Sequence, residues 1–336
     1  MPDTKEKEQP LDLVLSGGGV KGQGVVGAAV ALSEAGYDFQ RVAGTSAGAI
    51  IATLVAAFAM RKQPMRKLLD LMLDLDNVRF KDWSTPGRFA GPARGVADLI
   101  RHGGLVNGDY LYEWLTPILD DLDVRTFGDL KFPDPGASPR RPGAGPGEES
   151  QYKLVLHVTD LTRRALVRLP WDYAEYGLDP DKQRVVDAVR ASMSIPIFFQ
   201  PVRVQSADGP VTWLDGGVLA NFPLTVFDRT DGKKSRFPTW GVRVAGRPVR
   251  KERSVRTGLG VALGLVNTIS ADWYRLSFGA QGAGRRTIEV DVPGVKTTQF
   301  DIDERTIKRI FADGEAAGKS FLAALAPSVP APGLQP

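Results

Sequence analysis

Apolar and polar positions alternate between two periods along this chain. Short apolar runs at Leu11–Leu15, Phe39–Ala43, Tyr152–Thr159, Val211–Leu214, Thr239–Val244 and Arg286–Val290 have the length of buried strands. Between them lie stretches with helical spacing: Val25–Ala35, Ala47–Met60, Val185–Ser192, Arg256–Gln281 and Glu304–Leu325. Gly36 is placed to end the first of these helices, and Pro196 to stop the chain after the third. Ala47–Met60 is apolar on every side, as in a helix buried between a sheet and other helices. Residues 62–130 read as largely helical, with a Gly/Pro/Arg-rich interruption at Ser84–Gly95. Strands alternating with helices predict an α/β fold with a mainly parallel sheet.

Three segments fall outside this pattern. Residues 1–10 form a polar tail, and the Pro-rich stretch 326–336 forms another. Residues 133–150, PDPGASPRRPGAGPGEES, cannot bury apolar surface and read as a loop within one domain spanning 11–325. No internal repeat is present.

Composition narrows the chemistry more than the fold. The 336 residues include no cysteine, which removes disulfides, thiolate catalysis and Cys-ligated metals. A formal charge of +4 suits an anionic membrane surface but does not argue for nucleic acid. The N-terminus lacks the apolar core of a secretory signal, and the longest apolar runs are too short to span a bilayer, so the expectation is cytoplasmic, with peripheral membrane contact. Only two histidines occur, His102 and His157.

Candidate chemistry sits at the strand ends. Gly44-Thr45-Ser46-Ala47-Gly48 is a G-x-S-x-G pentapeptide between a strand and a helix, the context in which a serine is held on a sharp turn with its Oγ exposed. Read alone it is also compatible with a Gly-rich βα loop. Gly17, Gly18 and Gly19 follow the first strand, where bare backbone amides can converge on an anion. Lys21 follows them as support for an anion or a lipid phosphate. Gly22–Gly27 formally matches the dinucleotide pattern G-x-G-x-x-G, but its glycines run into the helix and no acidic residue ends the second strand. Asp215-Gly216-Gly217 ends another apolar strand; alone, it is more often a turn aspartate. His157 lies inside an apolar strand and His102 at a helix terminus, so an aspartate base for the serine fits better than a histidine.

Four blocks in order resemble the patatin-like phospholipases of bacterial type: Ser16–Gly22, Gly44–Gly48, Ala191–Phe199, and Asp215–Gly217 followed by Asn221 and Pro223. The resemblance implies a three-layer α/β/α fold and a Ser–Asp dyad. It makes Ser46 the nucleophile, Asp215 the base and Gly17, Gly18 and Gly19 the oxyanion hole, with no metal or organic cofactor. Two positions depart from the family pattern: Ser16 where an acidic residue is common, and Lys21 where arginine is common. The expected substrate is a lipid or acyl ester. A soluble ester or thioester, or a silent binding protein on the same fold, are the rival readings. Trp83–Arg94 and Ile197–Phe199 are candidates for an acyl-chain entrance or lid, beside the simpler reading that they pack.

Overall fold

The computed structural model describes residues 8–81, 103–132, 152–229, 235–245, 264, 268, 283–296 and 299–325. The proposed loop 133–150, the Trp83–Arg94 segment, His102, residues 1–7, the tail 326–336 and nearly all of Arg256–Gln281 lie outside the described residues.

Ten strands are described, and eight of them form one sheet. β1 (Gln9–Leu15), β2 (Tyr37–Thr45), β4 (Leu154–Asp160), β9 (Thr239–Val244) and β10 (Thr287–Val290) run parallel in the order β10-β9-β1-β2-β4. β5 (Ala165–Leu169) and β8 (Gly209–Asp215) join β4 antiparallel, and β7 (Val202–Ser206) pairs antiparallel with β8. β3 (Gly104–Val106) and β6 (Ile197–Phe199) make a separate small sheet. The helices are α1 (Gly22–Glu34), α2 (Ala47–Met60), α3 (Leu68–Asp74), α4 (Asp109–Asp121), α5 (Val185–Ser192), α6 (Gly217–Ala220) and α7 (Glu304–Leu325). Among the described residues of 62–130, β3 and several short 3-10 turns lie between the helices α3 and α4 and beside them.

Period-two alternation divides the core. Leu11, Leu13 and Leu15 of β1, Val42 of β2, and Leu154, Leu156 and Val158 of β4 face the large core that holds α1 and α2. Val14, Ala43 and Val155 turn to the other face and meet Phe222, Leu224 and Phe227. α2 is buried all round, as its composition requires. One polar pair interrupts the sheet: Asp12 on β1 holds Arg41 on β2 by two hydrogen bonds, Nε to Oδ1 at 3.0 Å and Nη2 to Oδ2, with both side chains buried.

Candidate active site

The way the sheet is built explains how two distant residues meet. β2 lies along one edge of β4 and stops where Thr45 pairs with His157. β5 occupies the opposite edge of β4. β8 takes over the β2 edge at the very next residue, with Asp215 opposite Val158. Because β2 is parallel to β4 and β8 antiparallel, the two strands approach end to end, carboxyl terminus against carboxyl terminus. Ser46 and Asp215 are the residues at that junction. Asp215 thus reaches the carboxyl edge of the parallel strands from the opposite direction, which its sequence context does not disclose.

Ser46 Oγ donates to Asp215 Oδ2 at 2.6 Å. The turn that presents Ser46 has φ 56° and ψ −131°, a backbone conformation that costs a non-glycine residue about 1–3 kcal/mol. The turn is tight because α2 rises directly against β1. A Cβ on Gly48 would come within 2.5 Å of the carbonyl oxygens of Leu15 and Ser16. The small residues of the pentapeptide are steric requirements of that approach.

Asp215 is 3% exposed. Burial pushes its carboxyl up to about 7, and the hydrogen bonds from Ser46 and from the Gly217 N–H only partly offset that rise. The Gly217 N–H binds Oδ1 at 2.6 Å, which fixes the carboxylate plane and leaves Oδ2 to the serine.

The block Ala191–Phe199 holds both residues in place. Ser46 N–H donates to Ser192 Oγ at 3.1 Å, and Ser192 Oγ donates in turn to His157 O at 2.7 Å. Asp215 N–H donates to Ser194 O at 2.9 Å. Arg190, itself buried, donates through Nη1 to Ser194 Oγ at 2.7 Å and through Nη2 to Gln200 O at 2.9 Å. The sequence offers these serines as part of a block but gives them no role. Their signal is the pairing of two buried hydroxyls with a helix end and a following proline.

The glycine loop lies beside the serine. Gly17 N–H is taken by Asn221 O at 3.1 Å, while the N–H groups of Gly18 and Gly19 meet no acceptor among the described residues. Ser16, at the position of the first departure, accepts the Val244 N–H on its hydroxyl at 3.3 Å, which ties the loop to β9. Lys21 is partly exposed and stands outside the wall of the cavity described next.

An apolar cavity of about 60 Å³ opens beside Ser46. Ile50, Ile51, Met72, Leu75, Phe199 and Phe300 supply much of its wall. Phe199 belongs to the Ile197–Phe199 segment proposed as an entrance, so that segment does border the site. The His157 ring turns toward the Gly44 carbonyl. It is buried, its pKa falls to about 4 through desolvation, and Nδ1 lies 3.5 Å from Gly44 O. Among the described residues no helix is long and apolar enough to cross a membrane.

A mostly parallel sheet with a serine on a strand-to-helix turn and an apolar cavity beside it defines an α/β protein of hydrolase type. The chain belongs to the patatin-like phospholipase family, whose profile matches residues 13–228. It is similar to the uncharacterized protein YqhO of Bacillus subtilis (strain 168), with 32% identity over 321 residues, 93% of this chain and 98% of that protein. Among solved structures it is similar to VipD from Legionella pneumophila, with a TM-score of 0.51 and 20% identity over 94% of this chain and 67% of that one. The ExoU–SpcU heterodimeric complex of the Pseudomonas aeruginosa type III secretion system gives a TM-score of 0.47 at 18% identity, over 94% of this chain and 51% of that one. The VipD likeness is one of fold. Family membership supports lipid hydrolase activity in general.

Proposed function

We propose that this protein is a serine acyl hydrolase that cleaves lipid esters through a Ser46–Asp215 dyad and an acyl-enzyme. The observation that carries the reading is the 2.6 Å hydrogen bond to the buried Asp215 carboxylate from Ser46 Oγ, whose residue lines an apolar cavity. A carboxylate raised to about 7 is a far better proton acceptor near neutrality than an ordinary one.

Asp215 Oδ2 takes the Ser46 proton as Oγ bonds to the ester carbonyl carbon. The carbonyl oxygen becomes an oxyanion, and the N–H groups of Gly18 and Gly19 are the donors for it. Gly17 contributes by fixing the loop, since its own N–H is held by Asn221. The tetrahedral centre collapses, the C–O bond to the alcohol breaks, and the alcohol leaves with the proton from Asp215. Water then gives a proton to Asp215 and its oxygen attacks the acyl carbon. Collapse of the second tetrahedral centre returns that proton to Ser46 Oγ and frees the carboxylic acid. No cofactor is needed for any of these steps. Lys21, at the loop's end, is our candidate to meet an anionic headgroup, and the net positive charge favours a peripheral encounter with an anionic membrane.

A fluorophosphonate probe tests the reading. Wild-type protein should be labelled at Ser46, and Ser46→Ala should lose both labelling and ester turnover. An unlabelled wild type would remove the enzyme reading in favour of a silent binding protein. Equal rates on monomeric and micellar esters would shift the substrate to soluble esters or thioesters.

A further inference from the structure

The helical turn that follows Asp215 ends on Asn221, whose side chain the proposed steps do not use. Asn221 keeps helical angles, φ −69° and ψ −21°, so its side chain leans back over Gly217, four residues earlier. A Cβ on Gly217 would fall 2.9 Å from Asn221 Oδ1 and 2.9 Å from Asp215 Oδ1. The two oxygens converge on one point. A Cβ on Gly17 would fall 2.2 Å from Asn221 Oδ1 and 3.0 Å from Ser46 Cβ. The Asn221 carboxamide therefore stands against both Ser46 and Asp215.

Its hydrogen bonds leave the amide half engaged. Nδ2 reaches Gly17 O at 3.5 Å, while Oδ1 accepts no hydrogen bond among the described residues. Asn221 and Gly217 are both partly exposed, and neither belongs to the cavity wall. An acyl chain seated in the cavity leaves their side to the departing alcohol and then to water. An attacking water needs its oxygen about 3–3.5 Å from the acyl carbon, with a lone pair toward that carbon. Asp215 alone would let the water turn about a single hydrogen bond. A second acceptor, taking the other proton, fixes its orientation.

We propose that Asn221 Oδ1 and the Asp215 carboxylate together hold the water that cleaves the acyl-enzyme, making Asn221 a catalytic residue of the second half-reaction. This inference rests on the acyl-enzyme being formed at Ser46. The water donates one hydrogen bond to each group. As its oxygen bonds to the acyl carbon, the proton facing Asp215 passes to the carboxylate, and the proton facing Asn221 stays on the oxygen. The bond from the acyl carbon to Ser46 Oγ then breaks, and Oγ takes the proton back from Asp215. The retained O–H becomes that of the carboxylic acid.

The test is the time course of p-nitrophenyl octanoate hydrolysis by wild type, Asn221→Ala and Asn221→Asp at about pH 9, where carboxylates at both positions are ionised. Asn221→Ala should release the first equivalent of p-nitrophenol as fast as wild type and then turn over about tenfold or more slowly. Its fluorophosphonate labelling should keep the wild-type rate, because that reaction consumes no water. Asn221→Asp keeps Oδ1 and loses the Nδ2 donor, so it should recover much of the slow phase. The inference fails if Asn221→Ala slows burst, labelling and turnover alike, or leaves turnover unchanged. It also fails if Asn221→Asp is no faster than Asn221→Ala, because the amide then acts as a tether for Gly17. In each of these cases a wild type labelled at Ser46 keeps the hydrolase reading. A wild type that is neither labelled nor active removes both readings together.

Discussion

Replacing Asp215 by asparagine should abolish turnover and, at alkaline pH, make the protein more stable. The carboxyl goes from 3.8, its ordinary value, to about 7 on folding, with burial as the main cause. At about 1.36 kcal/mol per pH unit, this corresponds to roughly 4 kcal/mol. The sign follows from proton uptake. Between about pH 4 and pH 7 the folded state holds a proton that the unfolded state has released, so stability falls as pH rises through that window. Above it the full penalty of a buried, ionised carboxylate is present, and below it there is none. Asparagine keeps the shape and stays neutral throughout. Asp215→Asn should therefore melt about 6 °C above wild type at pH 8.5, by the usual unfolding entropy for a chain of this size, and alongside it at pH 4. Scanning calorimetry across pH gives the measurement. The wild-type kcat profile should rise through an apparent pKa near 7, because the base acts only when deprotonated. A melting difference that does not change with pH would refute the reasoning, as would full activity in the variant.

Ser192→Ala leaves the Ser46 N–H without its acceptor and His157 O without its donor, so kcat should drop about tenfold with a stability loss of about 1–3 kcal/mol. Steady-state kinetics and urea unfolding would separate the two effects. Arg41→Met strands a buried Asp12 and should cost about 3–5 kcal/mol, while Arg41→Met with Asp12→Leu should recover much of that loss in the same unfolding assay. His157→Asn should retain the greater part of wild-type kcat at pH 8, since its ring bonds only toward Gly44 O; a loss near that of Ser46→Ala would return the base to histidine.

Much of the sheet was legible because its strands are buried runs with clear ends. Ala47–Met60, Val185–Ser192, Thr239–Val244 and Glu304–Leu325 fall on α2, α5, β9 and α7 to the residue. β5 and β7 escaped notice because they are only five residues long, and Arg168 and Arg203 break the continuous apolar runs by which the buried strands stand out. β3 and β6 are three residues each and owe their existence to one another across the chain, a relation no local pattern contains. At the site, Ser46 could be read from its own neighbours, since the steric demands of its turn are written into the flanking glycines. Asp215 could be read only in company, because its partner is fixed by the direction in which β8 meets β4.

The end-to-end meeting of β2 and β8 bears on when the proposed dyad can first assemble. Ser46 and Asp215 stand 169 residues apart. The serine turn precedes the carboxylate along the chain, and the carboxylate reaches it only where β8 lies on the edge of β4 that β2 half fills. On the proposed mechanism, a truncated or half-folded molecule would carry a serine with no carboxylate to take its proton. Completion of the sheet would then act as the safety catch of the proposed hydrolase, which gains its base only when its architecture is finished.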